Sequence, residues 1–114
     1  MKKENTILRQ LRKKVVIDGL VVTEIYFDLK HINHGWDSIK RDYKEGPARQ
    51  NLTEDDVVAF FEQLATLIQI PFSQRSTLRS VEKRFIFYVY ENDKKFKMVV
   101  DIMKNEATVV VTIH

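Results

Sequence analysis

The chain carries three histidines, His31 and His34 in the run HINH and His114 at its last position. Histidine exchanges protons in both directions near neutral pH, because its unperturbed pKa is ~6.5. Placed three apart on a helix, His31 and His34 share one face. With Asp28, Asp37 or His114 as a third ligand they would suit a metal, but no sharper motif such as HExxH accompanies them. Polar surface histidines at a helix start are the plainer reading, and neither a metal nor a cofactor is expected. Lys30, His31, His34, Lys40, Arg41, Lys44 and Arg49 crowd into one segment. If that segment is helical, Lys30, His34 and Arg41 lie close to one face and set a proton-transfer group beside cations. Cleavage of RNA by its own 2′-hydroxyl needs that combination: a base for the hydroxyl, cations for the charged phosphorane, and an acid for the leaving oxygen. Tyr88 and Tyr90, with Trp36 and Tyr43, could stack on bases for about 1–3 kcal/mol per base. For Trp36, and for whichever face of strand 84–90 meets the helices, packing accounts for the residue as well.

Other chemistries lack their residues. There is no cysteine, so disulfide scaffolds, Cys-based zinc ribbons and thiol catalysis are excluded. The three glycines, Gly19, Gly35 and Gly46, build no nucleotide-cradling loop, and no GxSxG elbow is present. The carboxylates Asp55 and Asp56 read as helix capping.

Several elements position these groups. Thr53 to Ile68 predicts a helix capped by Thr53, with Asp56 closing a capping box, Leu52 and Val57 as a hydrophobic staple, and Pro71 as the stop. Residues 84–90, 96–102 and 107–113 alternate apolar and polar positions and predict an antiparallel meander. Asp18-Gly19 between two β-branched runs predicts a hairpin, preceded by a short helix over Thr6 to Arg12. Leu29, Ile32, Trp36, Ile39 and Tyr43 trace a helical face through residues 28–51, interrupted at Gly35 and ended by Gly46-Pro47. The expected fold is one α+β domain over residues 1–114, an N-terminal β-hairpin and helices packed on an antiparallel β-meander.

With 114 residues, 31% charged and 44% hydrophobic, the chain fits a globular domain. Its first seventeen residues lack an apolar signal core or span, so a cytoplasmic protein without membrane contact is expected. The net charge of +3 is unevenly spread. Residues 1–50 and 70–90 are basic, the latter through Arg75, Arg79, Lys83 and Arg84, whereas residues 51–69 hold four acids and no base. One electropositive face turned toward a polyanion is the functional consequence; a mixed solvated surface is the alternative.

A His/Arg-bearing N-terminal segment, the helix LTEDDVVAFFEQL and a meander ending in ATVVVTIH together resemble the small ribonuclease toxin superfamily that groups barnase, EndoU, colicin and RelE nucleases. Within it, the likeness is to domains with a histidine in the first helix, a later arginine and a T-x-x-D-V second helix, here Thr53 to Val57. The resemblance implies metal-independent endoribonuclease activity. By position it makes His31 or His34 the acid/base, gives phosphate to Arg41, Arg49 and Arg84, and sets Tyr88 or His114 on the sheet face. It also implies RNA as substrate and a neutralising protein partner docked on a β-edge, for which the C-terminal strand is the candidate. The residues leave two other readings open: a non-catalytic binding module for nucleic acid or protein, and a homo-oligomeric assembly subunit.

Overall fold

Asp18 and Gly19 reverse the chain with φ of 51° and 82°, the left-handed pair that a two-residue hairpin requires. The computed structural model describes residues 6–34, 36–37, 42–43, 52–66, 72–74 and 80–114, of which 34, 36–37, 42–43 and 72–74 are described by backbone alone. Around the turn, strands β1 (Thr6–Ile17) and β2 (Leu20–Asp28) pair antiparallel from Ile17↔Leu20 to Thr6↔Asp28. The helix expected over Thr6 to Arg12 is therefore strand. Thr6 to Gln10 pair with Glu24 to Asp28, and this cross-strand pairing outweighs the helical preference of the Leu-Arg-Gln-Leu-Arg segment. The ladder breaks once, between Gln10 and Val15.

Helix α1 (Leu29–His34) follows β2 directly and carries both His31 and His34. It does not run on through Trp36 and Tyr43 as expected. Those two residues pair in a small antiparallel ladder, β3 (Trp36–Asp37) with β4 (Asp42–Tyr43). Gly35, a poor helix residue, stands at the point of change. The expected Gly46-Pro47 end lies outside the described residues.

Helix α2 (Glu54–Glu62) has the predicted start. Thr53 Oγ1 accepts from the Asp56 N–H at 3.1 Å, and Asp56 Oδ2 accepts from the Thr53 N–H at 2.8 Å. Leu52 and Val57 are both buried. The helix gives way to a 3₁₀ turn at Gln63–Ala65, and the predicted stretch to Pro71 lies outside the described residues beyond Thr66. Thr53→Ala is expected to cost about 1 kcal/mol, read as a lower urea midpoint with unchanged m-value.

Strands β5 (Phe72–Gln74), β6 (Val81–Glu91), β7 (Lys94–Met103) and β8 (Thr108–Ile113) complete a six-stranded sheet of order β1-β2-β8-β7-β6-β5. The expected meander is β6-β7-β8. The hairpin does not pack on it but extends it, because β2 pairs with β8 in parallel, Tyr26↔Val109 and Phe27↔Val110. The fold is thus α+β and mostly sheet, with one parallel pair inside an otherwise antiparallel order. It also removes the C-terminal strand as a docking edge, since β8 is paired on both sides; the outer strands are β1 and β5.

One sheet face, with Phe85, Phe87, Met98 and Val110, is buried in a core shared with Val57, Phe60 and Phe61 of α2. Two polar pins hold α2 there. The buried Glu62 carboxylate accepts from the backbone N–H groups of Arg12 and Lys13 at 2.6 and 3.3 Å, where the β1 ladder breaks. The Gln63 amide both accepts from the Tyr90 N–H at 3.0 Å and donates to its carbonyl at 2.7 Å, substituting for a neighbouring strand. Among the described residues no helix is long and apolar enough to cross a membrane.

Candidate functional site

The opposite sheet face carries the polar residues. Alternation along β6 sends Phe85, Phe87 and Val89 into the core and Arg84, Ile86, Tyr88 and Tyr90 to the other side. Register then aligns Arg84 with Asp101 on β7, Asp101 with Val109 on β8, and Val109 with Tyr26 on β2. Four strands thereby contribute one row, about 14 Å across at the ~4.8 Å strand spacing. Because β2 lies beside β8, the chain leaving β2 carries α1 to that end of the row, and α1 packs against both strands.

A cleft of about 880 Å³ opens over this row. His31 and Asp28 line it from the α1 side and Arg84 and Asp101 from the other, with Lys104 at the β7–β8 turn. Asp28 caps α1, its Oδ1 accepting the His31 N–H at 3.2 Å, and so sets where His31 starts from the helix. The His31 imidazole is half-buried, and burial lowers its pKa from 6.5, opposed by the negative charge of Asp28. At neutral pH it is the uncharged ring, ready to accept a proton.

Arg84 is held rigidly. Its Nε donates to Asp101 Oδ1 at 2.6 Å and its Nη2 to Oδ2 at 2.9 Å, a bidentate pair with side chains 26% and 6% exposed. The hydrogen bonds that Arg84 donates to Asp101 raise its pKa against the effect of burial, so the guanidinium stays charged. The pair leaves the Nη1 side of the fork uncommitted to Asp101. Asp28, Asp101, Arg84 and Lys104 bring two charges of each sign, so the described lining is balanced rather than broadly electropositive.

Of the residues expected from sequence, His31 and Arg84 meet in this cleft. His34 lies on α1 with its side chain outside the described residues, as are Arg41 and Arg49 altogether. Tyr88 is on the Arg84 face but four residues along β6, about 14 Å away at strand rise. His114 follows β8 at the far side, its backbone exchanging two hydrogen bonds with Lys97 at 2.7 and 2.9 Å. Neither Tyr88 nor His114 is among the described residues that line the cleft. Among the described residues no three His, Cys, Asp or Glu side chains gather as metal ligands.

Sequence reasoning missed Asp101, Tyr26 and Lys104. Asp101 had a usable signal: a lone carboxylate inside the apolar run Met98–Met103 needs a buried partner. Tyr26 and Lys104 had none, because the parallel β2–β8 pairing that brings them together is non-local.

The fold and cleft define a small, sheet-rich α+β protein in which, among the described residues, one histidine and one clamped arginine line a shared cavity. Comparison with family models, with curated proteins and with solved structures finds no match.

Proposed function

We propose that the cleft cleaves RNA without a metal ion, using the substrate's 2′-hydroxyl as nucleophile. One observation carries this reading: His31 and Arg84, far apart in the chain, line the same cleft. An imidazole kept neutral by burial takes the 2′-hydroxyl proton as that oxygen attacks the adjacent phosphorus. The Nη1 side of Arg84 and the Lys104 ammonium meet the negative charge that grows on the phosphoryl oxygens. Clamping by Asp101 fixes the charged guanidinium before substrate arrives, while the carboxylate beside it offsets part of the field it presents. Protonation of the departing 5′-oxygen falls to a second acid or to water. The ribonuclease toxin resemblance supports the same class of reaction, and in that setting a cytoplasmic protein restrained by a partner follows.

The test is cleavage of an RNA oligonucleotide in EDTA beside the same oligonucleotide carrying a single 2′-deoxy residue at the cleaved position. Cleavage is expected in EDTA and only where the 2′-hydroxyl is present. Inactivity of the parent protein in both, or equal cleavage at the deoxy site, would end the proposal.

The alternative of a non-catalytic binding module also has an observation in its favour. On the outer hairpin, Val16 and Val21 are cross-strand partners exposed at 60% and 54%, beside the exposed Lys13 and Lys14 of outer strand β1. A protein that binds through this hairpin and cleaves nothing would favour it.

A further inference from the structure

Beyond the cleft, the face that carries Arg84 continues along β6 and β7 without a register break from Lys83↔Ile102 to Glu91↔Lys94. Tyr88 lies opposite Lys97, and Tyr90 opposite Lys95. Both tyrosines are exposed, at 41% and 49%, although their strand neighbours Phe87 and Val89 are buried on the other side. The Lys95 ammonium sits 4.3 Å from the centre of the Tyr88 ring. Large aromatic rings held in water beside lysines are poor packing and good stacking platforms.

We infer that this β6–β7 face is a track for single-stranded RNA, with bases stacking on Tyr88 and Tyr90 and phosphates meeting Lys95 and Lys97. The reading extends the proposed RNA cleft, from which the track leads away. Alternate residues on β6 recur every ~6.8 Å, which suits successive bases of an extended strand. A base arriving on Tyr88 displaces Lys95 from the ring and leaves its ammonium next to that nucleotide's phosphate. Four cationic or aromatic side chains on two adjacent strands thus present alternating π-faces and positive charge, the pattern a flexible polyanion with exposed bases recognises regardless of sequence.

The probe is a fluorescent 2′-O-methyl oligouridine of about 12 nucleotides, within the site sizes usual for such grooves and immune to attack by a 2′-hydroxyl. Its binding is followed by anisotropy over a salt series for the parent, a Tyr88→Ala/Tyr90→Ala variant and a Lys95→Ala/Lys97→Ala variant. The tyrosine variant is expected to bind at least about tenfold more weakly, since two stacking platforms are lost. The lysine variant is expected to lower the slope of log affinity against log salt by about 1.4, for two phosphate contacts on a single strand. Parent-like affinity in the first variant with a parent-like salt slope in the second overturns the track, as does failure of the parent to bind at low salt. Cleavage of a dinucleotide, too short to reach the track, reports on the cleft separately. Dinucleotide cleavage with oligonucleotide binding untouched by both variants removes the track and keeps the cleft. Variant-sensitive binding by a protein that cleaves neither substrate keeps the track and removes the cleft's proposed chemistry.

Discussion

Asp101→Ala is expected to lower stability by about 3–5 kcal/mol, the usual cost of removing one member of a buried ion pair. The carboxylate is 6% exposed and the Arg84 guanidinium 26% exposed, so truncation leaves a cation mostly out of water with its counter-charge gone. It also leaves a gap on β7 where Asp101 is flanked by the buried Val100 and Ile102. Asp101→Asn keeps the shape and one acceptor and should fall between the two. Replacing both partners by leucine should recover much of the loss, because the remaining charge is then absent as well. Urea unfolding of the four proteins distinguishes a clamp kept for orientation, which the double variant survives, from one on which folding depends. The surface pairs of Arg9 with Glu54 and Asp55, at 3.1 and 2.8 Å, are exposed enough that no comparable loss is expected from them.

His31→Ala is expected to slow RNA cleavage by about 10²–10⁴-fold, the range a positioned general base contributes. The pH dependence follows from the direction of its shift. The folded pKa lies below 6.5, so activity that needs the neutral ring is full at neutral pH and declines as pH falls through that lowered value. Stability has the same sign. Between the folded pKa and the unfolded value of 6.5 the unfolded chain binds more protons, so the contribution of His31 is complete above pH 6.5 and is lost as pH falls through the folded pKa. A rate–pH profile of kcat/KM for the parent should therefore have its acidic limb below pH 6.5. His31→Ala should lose that limb along with most of the rate.

How much of this was legible in the sequence depended on how local its cause was. The Asp18-Gly19 turn, the Thr53–Asp56 capping box and the alternating runs of β6, β7 and β8 are each specified within a few residues, and each formed as read. Thr6 to Arg12 misled because its strand state comes from partners at Glu24 to Asp28 rather than from itself. The face traced from Leu29 to Tyr43 misled because helical spacing does not by itself exclude a ladder: α1 is described only to His34, and Trp36 and Tyr43 pair as strand. In the site, the histidine cluster pointed to α1, and Arg84 was among the expected phosphate ligands. Their meeting in one cleft rests on β2 joining β8 in parallel, which no spacing in the chain announces. Asp101 was overlooked because its meaning lies in the cross-strand register to Arg84.

His31 is proposed to supply proton transfer in the proposed RNA-cleaving cleft. The most direct test of this role is the cleavage rate of one RNA oligonucleotide in EDTA at neutral pH by the parent and by His31→Ala, with circular dichroism showing both folded. The parent is expected to yield fragments ending in a 2′,3′-cyclic phosphate and a 5′-hydroxyl, and the variant to be at least about a hundredfold slower. Equal rates for the two proteins, or no cleavage by the parent, would contradict the account.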